Sequence, residues 1–289
     1  MIGVSLQQVL EQGFPPSFDD IMIVPSNSSV RSRREPDTSN VICSTISLEV
    51  PIISSPMDTV TGSRMAQTMS ENGGMGILHR FLSKEEQARM IELLLSSKED
   101  SLYGTVKIVP AIGVGRAEKE RFDYLLNRFH NKLTAVAIDV ANGDSSYMRD
   151  MIRWVRSVAG ENLPIIAGNV ATGDGFIRLA EAGANAVRVG IGGGSICKTR
   201  IMTGIGVPTL ASVADCYIKR AAKPEYSQVS IIADGGGTGT GIRAALNPDS
   251  FFWDLSASTK WWDWLAGGSG DEEDFLFFST ILLNNNLFL

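Results

Sequence analysis

The feature that most constrains the fold is an alternation of short apolar runs with longer amphipathic stretches, repeated along most of the chain. Seven runs rich in Val, Ile and Ala predict strands at residues 50–54, 75–78, 106–112, 135–139, 164–167, 186–189 and 229–233. Most are continuously apolar, which is typical of parallel strands buried on both faces. Helical spacing of apolar residues predicts helices over residues 83–95, 116–129, 146–159, 173–182 and 211–222, and a capping box at Ser83 marks the start of the first of them.

Polar or glycine-containing motifs follow nearly every predicted strand, beginning with Ser55-Pro56-Met57-Asp58 and ending with Asp234-Gly235-Gly236. A barrel collects such residues at the carboxyl ends of all its strands, whereas a doubly wound open sheet collects them at one switch point. The sequence therefore predicts an α/β fold, a (β/α)8 TIM barrel. The eighth strand is expected at residues 274–280, although the composition changes abruptly after residue 250.

The composition is that of an ordinary globular protein, 44% hydrophobic and 20% charged, with a net charge of −6. This acidic balance gives no support for a nucleic-acid or membrane partner, and no apolar run approaches the ~20 residues of a membrane span. Cys43, Cys197 and Cys216 are too few and too scattered for a disulfide framework. We expect a cytoplasmic protein with one domain over residues 1–289, in which residues 244–289 form a divergent C-terminal segment.

A glycine-rich run follows the predicted strand at residues 186–189 and leads to a cysteine: Gly190-Ile191-Gly192-Gly193-Gly194-Ser195-Ile196-Cys197. Residues without Cβ let backbone N–H groups approach a ligand closely. The neighbouring Lys198 and Arg200 favour a thiolate, which is the nucleophilic form of cysteine. The alternative is a glycine-rich turn with an incidental buried cysteine, since cysteine outside a disulfide commonly packs as a small apolar side chain.

Two linked motifs in this region resemble the active-site loop of the IMP dehydrogenase and GMP reductase family: residues 192–200, and Thr203-Gly204-Ile205-Gly206-Val207-Pro208. The run Ser54-Ser55-Pro56-Met57-Asp58-Thr59-Val60-Thr61 is similar to the family's first-strand motif. The resemblance runs from about Phe18 to Asp234 and fades after Arg243. It implies an oxidoreductase that acts on a purine nucleoside monophosphate with NAD or NADP, assembled as a homotetramer.

On this resemblance, Cys197 attacks C2 of the purine and Thr199 assists the group that enters or leaves there. The implied substrate contacts are Ser55, Met57, Arg188, Ser195, Asp234, Gly235 and Gly236. A strand-end carboxylate such as Asp234 suits a ribose diol because it accepts two hydrogen bonds. From the residues alone, Asp234 could instead be a turn aspartate, and Ser55 and Met57 could serve in strand-end packing and in capping the helix that follows. Arg188 lies inside a strand, where a charge is costly unless paired, and its neighbours do not identify the partner.

The same resemblance assigns the nicotinamide half of the site to Asp139, Asn142, Asn169, Gly190 and Gly192. No G-x-G-x-x-G motif follows a strand, so a Rossmann-type cofactor site is not supported. From pattern alone, Asp139 and Asn169 could instead be strand-end polar residues that cap helices.

Potassium is the metal ion that the resemblance implies, bound by the backbone carbonyls of Gly192, Gly194 and Cys197. The two histidines, His79 and His130, have no metal-ligand spacing with the cysteines, so no zinc site is predicted.

The motifs divide between the two branches of the family. Residues 55–61, 83–87, 203–208 and 232–234 resemble dehydrogenases, whereas residues 32–35, residues 139–143 and the direct passage from Gln87 to Val106 without a CBS insertion resemble reductases. We predict an IMP dehydrogenase, which converts IMP and NAD to XMP. The alternative is a GMP reductase, which converts GMP and NADPH to IMP and ammonia. A nucleotide-binding barrel with little or no turnover is a third possibility, because residues 282–289 contain neither an Arg-Tyr flap nor a catalytic glutamate.

Overall fold

The computed structural model describes residues 8, 11, 13, 15–20, 29, 31, 37–43, 45–96, 104–194, 197–235 and 281–283. An antiparallel hairpin of β1 (Asn40–Ile42) and β2 (Ile46–Leu48) comes first. Seven parallel strands then form one sheet in chain order: β3 (Ile53–Ser54), β4 (Met75–Leu78), β5 (Val109–Ile112), β6 (Val136–Asp139), β7 (Ile165–Val170), β8 (Ala186–Val189) and β9 (Ser230–Ala233). Each of the seven strands predicted between residues 50 and 233 is present; two keep their predicted bounds, and the other five shift by one to three residues.

Helices connect these strands as the alternation predicts: α1 (Ser63–Glu71), α2 (Lys84–Ser96), α3 (Arg116–Phe129), α4 (Ser146–Ala159), α5 (Gly173–Ala182), the short α6 (Thr199–Thr203) and α7 (Thr209–Ala221). The bounds of α3, α4 and α5 coincide with the predicted ones. Local signals mark both ends of α4 and α5, which follow the capping side chains of Ser145 and Thr172 and precede Gly160 and Gly183. Over the described part of the chain, no helix combines the length and apolar character that crossing a membrane requires.

The sheet curls until its first and seventh strands approach each other. Ser55 directly follows β3 and Asp234 directly follows β9, yet Ser55 Oγ donates a hydrogen bond to Asp234 Oδ1 at 3.4 Å. In a flat sheet six strand spacings would separate these ends by roughly 29 Å. The α/β barrel prediction is therefore confirmed over the described strands.

One further strand, β10 (Ile281–Leu283), pairs with β9 in the antiparallel sense. The strands of a (β/α)8 barrel are all parallel, so β10 lies beside β9 in the orientation opposite to that of a barrel strand. The predicted closing strand at residues 274–280 lies outside the described residues.

Two buried apolar clusters show which way the strand side chains point. One fills the barrel interior and packs against the hairpin: Ile42, Cys43, Ile46, Leu48, Ile53, Met75, Ile77, Val109, Ala111, Ala135, Ala137, Ile166, Ala186 and Ile232. The other contains the alternate strand residues, such as Ile138 and Val187, which pack against the helices. Successive side chains of a strand point to opposite faces. The residues two positions beyond Ala137 and Ala186 therefore point inward, closer to the carboxyl ends of the strands.

Candidate active site

Five polar side chains from five strands meet at the carboxyl ends of the barrel: Ser55, Asp139, Asn169, Arg188 and Asp234, here called the rim cluster. Arg188 is its centre, because Nη1 donates to Asp139 Oδ1 and Nη2 donates to Asp234 Oδ2 at 2.7 Å. The Arg188 side chain is only 5% exposed, whereas those of Asp139 and Asp234 are 20% and 14% exposed. The partner of Arg188, which the sequence alone does not identify, is thus a pair of carboxylates.

Strand periodicity explains why these side chains converge. Asp139 and Arg188 lie two residues beyond the inward-facing Ala137 and Ala186, so they also face the interior. Between them runs β7, whose Gly168 is paired in register with both residues. A Cβ on Gly168 would lie 2.6 Å from Arg188 Cβ, far inside van der Waals contact. A glycine at this position therefore leaves room for the Arg188 side chain.

Asn169 joins the cluster through an irregularity in β7. The register between β7 and β8 shifts between Gly168 and Val170, as in a β-bulge, so Asn169 is the additional residue. Its Nδ2 donates to the Gly190 carbonyl at 2.8 Å and to Asp234 Oδ2. The resemblance places Asn169 on the cofactor side of the site, but its side chain here holds the carboxylate expected to bind the substrate ribose.

The charges of the rim cluster are one guanidinium and two carboxylates. Burial, the largest single influence, lowers the pKa of the Arg188 guanidinium, but Asp234 and Asp139 together outweigh it and hold that pKa above its ordinary value. Arg188 stays charged, and the three side chains carry a formal charge of about −1 when both carboxylates are ionised. Arg188 Nε is buried and has no hydrogen-bond partner among the described residues.

A side chain that the sequence analysis gave no role, Arg80, also supports the cluster. Arg80 lies two residues after β4, and its Nε donates to the Asp139 backbone carbonyl at 3.3 Å. Asp139 is therefore held by Arg188 at its carboxylate and by Arg80 at its main chain. Its position could have identified it, since Arg80 lies two residues after the strand predicted at residues 75–78 and therefore at the same rim.

The segment between β8 and α7 that carries Cys197, residues 190–208 and here called the cysteine loop, leaves the barrel next to Asp234. The Asp234 N–H donates to the Val189 carbonyl at 2.9 Å, and a Cβ on Gly190 would lie 2.3 Å from the Asp234 carbonyl oxygen. Gly190 is therefore required by contact with the chain's own backbone, whereas the sequence suggested approach to a ligand. The Val207 N–H donates to the Ile191 carbonyl at 2.9 Å, which joins the beginning and the end of the loop.

Cys197 and Thr199 lie in this loop. Cys197 is half-buried, and its N–H donates to the Gly194 carbonyl at 3.1 Å. Thr199 begins α6, and its carbonyl accepts a hydrogen bond from Thr203 Oγ1 at 2.7 Å. The predicted substrate contacts Ser195 and Gly236 lie outside the described residues.

The other two cysteines differ from Cys197 in burial and chemistry. Cys43 is in the interior cluster, where burial raises the pKa of its thiol to about 12. Cys216 is fully buried on α7, and burial raises its thiol pKa well above the ordinary value. A buried neutral thiol is a poor nucleophile. Among the three cysteines, Cys197 is thus the least buried.

Three other predicted contacts lie close to the rim cluster in the chain. Met57 is half-buried in a tight turn in which its N–H donates to the Ser55 carbonyl at 2.8 Å. Gly235 follows Asp234 with φ +72°, a value that favours glycine. Asn142 is exposed, and its Oδ1 accepts the Asp144 N–H at 3.2 Å, so its side chain stabilises its own turn.

The predicted potassium site consists of backbone carbonyl oxygens of the cysteine loop. The Gly194 carbonyl already accepts the Cys197 N–H, and Gly192 adopts φ +77°. Within the described part of the chain, no group of three or more His, Cys, Asp or Glu side chains could hold a metal ion. Potassium binding by carbonyl oxygens stays a prediction.

Comparisons of the whole sequence with known proteins agree with the resemblance found in the motifs. A sequence model described as the IMP dehydrogenase / GMP reductase domain matches residues 16–246. The chain is 32% identical over 260 residues to an inosine-5′-monophosphate dehydrogenase of Borreliella burgdorferi, and this alignment covers 76% of this chain and 63% of that protein. It is 34% identical over 223 residues to a GMP reductase of Clostridium acetobutylicum, which covers 76% and 62%. A GMP reductase of Shewanella halifaxensis is 34% identical over 231 residues, covering 78% and 63%.

The chain spans a little under two thirds of the length of these relatives. Both enzyme names occur among the relatives at similar identity, and both denote oxidoreductases.

Proposed function

Because the chain belongs to the IMP dehydrogenase / GMP reductase family, we propose that its barrel binds a purine nucleoside monophosphate and a nicotinamide cofactor and catalyses oxidoreduction at C2 of the purine. One observation carries this proposal: the cysteine loop leaves β8 in direct contact with the Asp234 main chain. A candidate nucleophile and a candidate ribose-binding carboxylate therefore lie at the same end of the barrel, although nearly forty residues separate them in sequence.

Asp234 binds the ribose in this proposal. Its Oδ2 atom is held by Arg188 and Asn169, so the orientation of the carboxylate is set before the nucleotide arrives. Ser55 contacts Oδ1 at 3.4 Å, the long limit of a hydrogen bond, and a ribose hydroxyl can compete with such a contact. Preorganisation of this kind lowers the entropy cost of binding.

Cys197 is the nucleophile. Its thiolate forms a bond to C2 of the bound purine while the group on C2 leaves, as a hydride from IMP or as ammonia from GMP. Water in the first case, or a hydride in the second, then replaces the thiolate at C2, and Thr199, two residues further on, assists the entering or leaving group. The half-buried position of Cys197 in a loop suits this role better than the buried positions of Cys43 and Cys216.

Asp139 fits the cofactor side. One of its oxygens accepts a hydrogen bond from Arg188, yet a fifth of the side chain is exposed, so the carboxylate can accept a further hydrogen bond from a hydroxyl of the ribose attached to nicotinamide. A bound nicotinamide cofactor supplies the hydride acceptor or donor. The potassium ion, the homotetramer and the cytoplasmic location stay predictions.

IMP dehydrogenation is the reaction that we propose first, on the resemblance of residues 83–87 and 203–208 to dehydrogenases. GMP reduction is the second candidate, and the alignments favour it in one respect. An equal share of this chain, 76%, aligns over 223 residues with the Clostridium reductase but over 260 with the Borreliella dehydrogenase, so the dehydrogenase carries residues that this chain lacks.

A coupled pair of assays tests these proposals. The purified chain is incubated with IMP and NAD, and separately with GMP and NADPH, while the absorbance of the reduced cofactor is followed. Appearance of NADH supports the dehydrogenase, and consumption of NADPH supports the reductase. Calorimetric titration with IMP and GMP completes the test. Binding without turnover supports the nucleotide-binding barrel, and a chain that binds neither nucleotide contradicts the proposal as a whole.

A further inference from the structure

The rim cluster connects two carboxylates with different proposed ligands through a single side chain. Arg188 Nη2 donates to Asp234, the proposed ribose-binding residue, and Nη1 donates to Asp139, the proposed cofactor-binding residue. We propose that Arg188 is a positioning residue that couples the nucleotide subsite to the cofactor subsite, because its guanidinium donates hydrogen bonds to both of these carboxylates at once. This inference rests on the proposed function of the same site.

Burial and packing place Arg188 behind the two carboxylates. Its side chain is 5% exposed, while those of Asp139 and Asp234 are three to four times more exposed. Gly168 packs against its Cβ, so the stem of the side chain is confined to the barrel interior. The carboxylates meet the ligands, and Arg188 acts through them. This differs from the direct substrate contact that the resemblance implies.

The remaining contacts show how the division works. Asp234 is held by Asn169 as well as by Arg188, and Asp139 is held at its main chain by Arg80. Both carboxylates are therefore anchored, and the guanidinium lies between two fixed acceptors. Arginine suits this position because its planar fork presents several donors in a rigid geometry, whereas the lysine ammonium is a compact point charge.

A consequence follows for nucleotide binding in the absence of any cofactor. If the Asp139 carboxylate is removed, Asp234 becomes the one carboxylate that interacts with the Arg188 guanidinium among the rim cluster. The guanidinium then competes with the ribose hydroxyls for the carboxylate oxygens of Asp234. A substitution in the cofactor subsite should therefore weaken nucleotide binding. Couplings between sites typically change affinity by about 5- to 150-fold, and we place this one near the lower end because Asp234 keeps its own charge.

The test is calorimetric titration of IMP and GMP into the cofactor-free chain. Asp139→Asn should weaken binding of the preferred nucleotide by about fivefold or more. In an Arg188→Lys background the same substitution should change affinity by less than about twofold, because the bridge is already lost. Asp144→Asn is the matched control. Asp144 lies five residues after Asp139 and pairs with Arg178 through both carboxylate oxygens, at 2.8 and 2.6 Å, outside the rim cluster.

Each outcome decides the inference. Weaker nucleotide binding by Asp139→Asn but not by Asp144→Asn supports the inference. If Asp139 had a merely structural role, its substitution would lower the thermal unfolding midpoint, but the nucleotide affinities of the two variants would not differ. Equal or tighter binding by Asp139→Asn overturns it. If Arg188→Lys fails to fold, the comparison of Asp139→Asn with Asp144→Asn still decides. A wild-type chain that binds neither IMP nor GMP overturns the proposed function together with this inference, whereas normal wild-type binding with no effect of Asp139→Asn overturns the inference alone.

Discussion

The Ser55 hydroxyl and the Asp234 carboxylate lie 3.4 Å apart across the mouth of the barrel, although 179 positions separate the two residues in the chain. The contact joins the ends of the first and seventh parallel strands. It exists because the sheet curls, and it brings the first-strand motif and the Asp-Gly turn to one site.

Asp234→Asn should weaken nucleotide binding at least tenfold. The carboxylate is proposed to accept ribose hydroxyls, and a hydrogen bond to a charged group contributes about 1.5–3 kcal/mol. Calorimetric titration measures the loss. A 2′-deoxynucleotide supplies the internal control, because it should bind less well than the ribonucleotide to the wild type but equally well to the variant. Unchanged affinity for the ribonucleotide would remove the ribose site from the proposed function.

The same substitution should also lower stability. Arg188 is buried and would keep only one charged partner, and replacing a hydrogen bond to a charged group by one to a neutral amide costs about 1 kcal/mol or more. Urea unfolding of the ligand-free chain measures this loss. An unfolding midpoint equal to that of the wild type would show that the Arg188–Asp234 pair contributes little to the fold.

Cys197→Ala should abolish turnover and leave nucleotide affinity within about tenfold of the wild type, because the covalent route is lost while the ribose contacts remain. Cys43→Ala is the control. Its thiol is buried in the interior cluster, so the substitution should reduce stability by about 1–2 kcal/mol and leave turnover per folded molecule unchanged. Turnover by the Cys197 variant at the wild-type rate would refute the nucleophile assignment.

Gly168→Ala should destabilise the chain by about 1–3 kcal/mol and weaken nucleotide binding, because its Cβ would lie 2.6 Å from Arg188 Cβ and displace that side chain. Gly62→Ala is the matched control. A Cβ on Gly62 would meet nothing nearer than Met90 Sδ at 4.0 Å, so we expect a change below about 1 kcal/mol and normal affinity. Urea midpoints and nucleotide titrations of the two variants check the contrast, and equal behaviour would refute it.

Stability should fall as the pH is lowered through about 6.5, in part because of His79. Burial lowers the pKa of His79 below its ordinary value of 6.5, although the Asp58 charge opposes this, and Nδ1 has no partner among the described residues. The unfolded chain therefore binds the proton more readily than the folded chain in this window, and acid favours unfolding.

Unfolding in urea at about pH 7.5 and about pH 5.5 measures this effect. His79→Gln should reduce the difference in stability between the two pH values. The exposed His130 provides the control, since His130→Gln should retain the wild-type difference. A His79 variant with the full wild-type pH dependence would show that this side chain does not contribute to it.

Local sequence determined the elements and their order. The bounds of α3, α4 and α5 could be predicted because the periodicity of apolar residues is a local signal, which depends on residues only a few positions apart in the chain. The start of α2 is an example, since the Ser83 N–H donates to Glu86 Oε2 at 3.0 Å and the Glu86 N–H donates to Ser83 Oγ at 3.2 Å. The succession of polar motifs after apolar strands likewise predicted a barrel with its chemistry at one end.

Tertiary structure alone decided how the site residues meet. Strand alternation from Ala137 and Ala186 could have shown that Asp139 and Arg188 both face inward, but their pairing depends on the register across Gly168. The bulge that turns Asn169 onto Asp234, and the antiparallel direction of β10, have no local signal. Sequence periodicity fixes the face on which a side chain lies, whereas its partner depends on sheet curvature and register, which arise from residues distant in the chain.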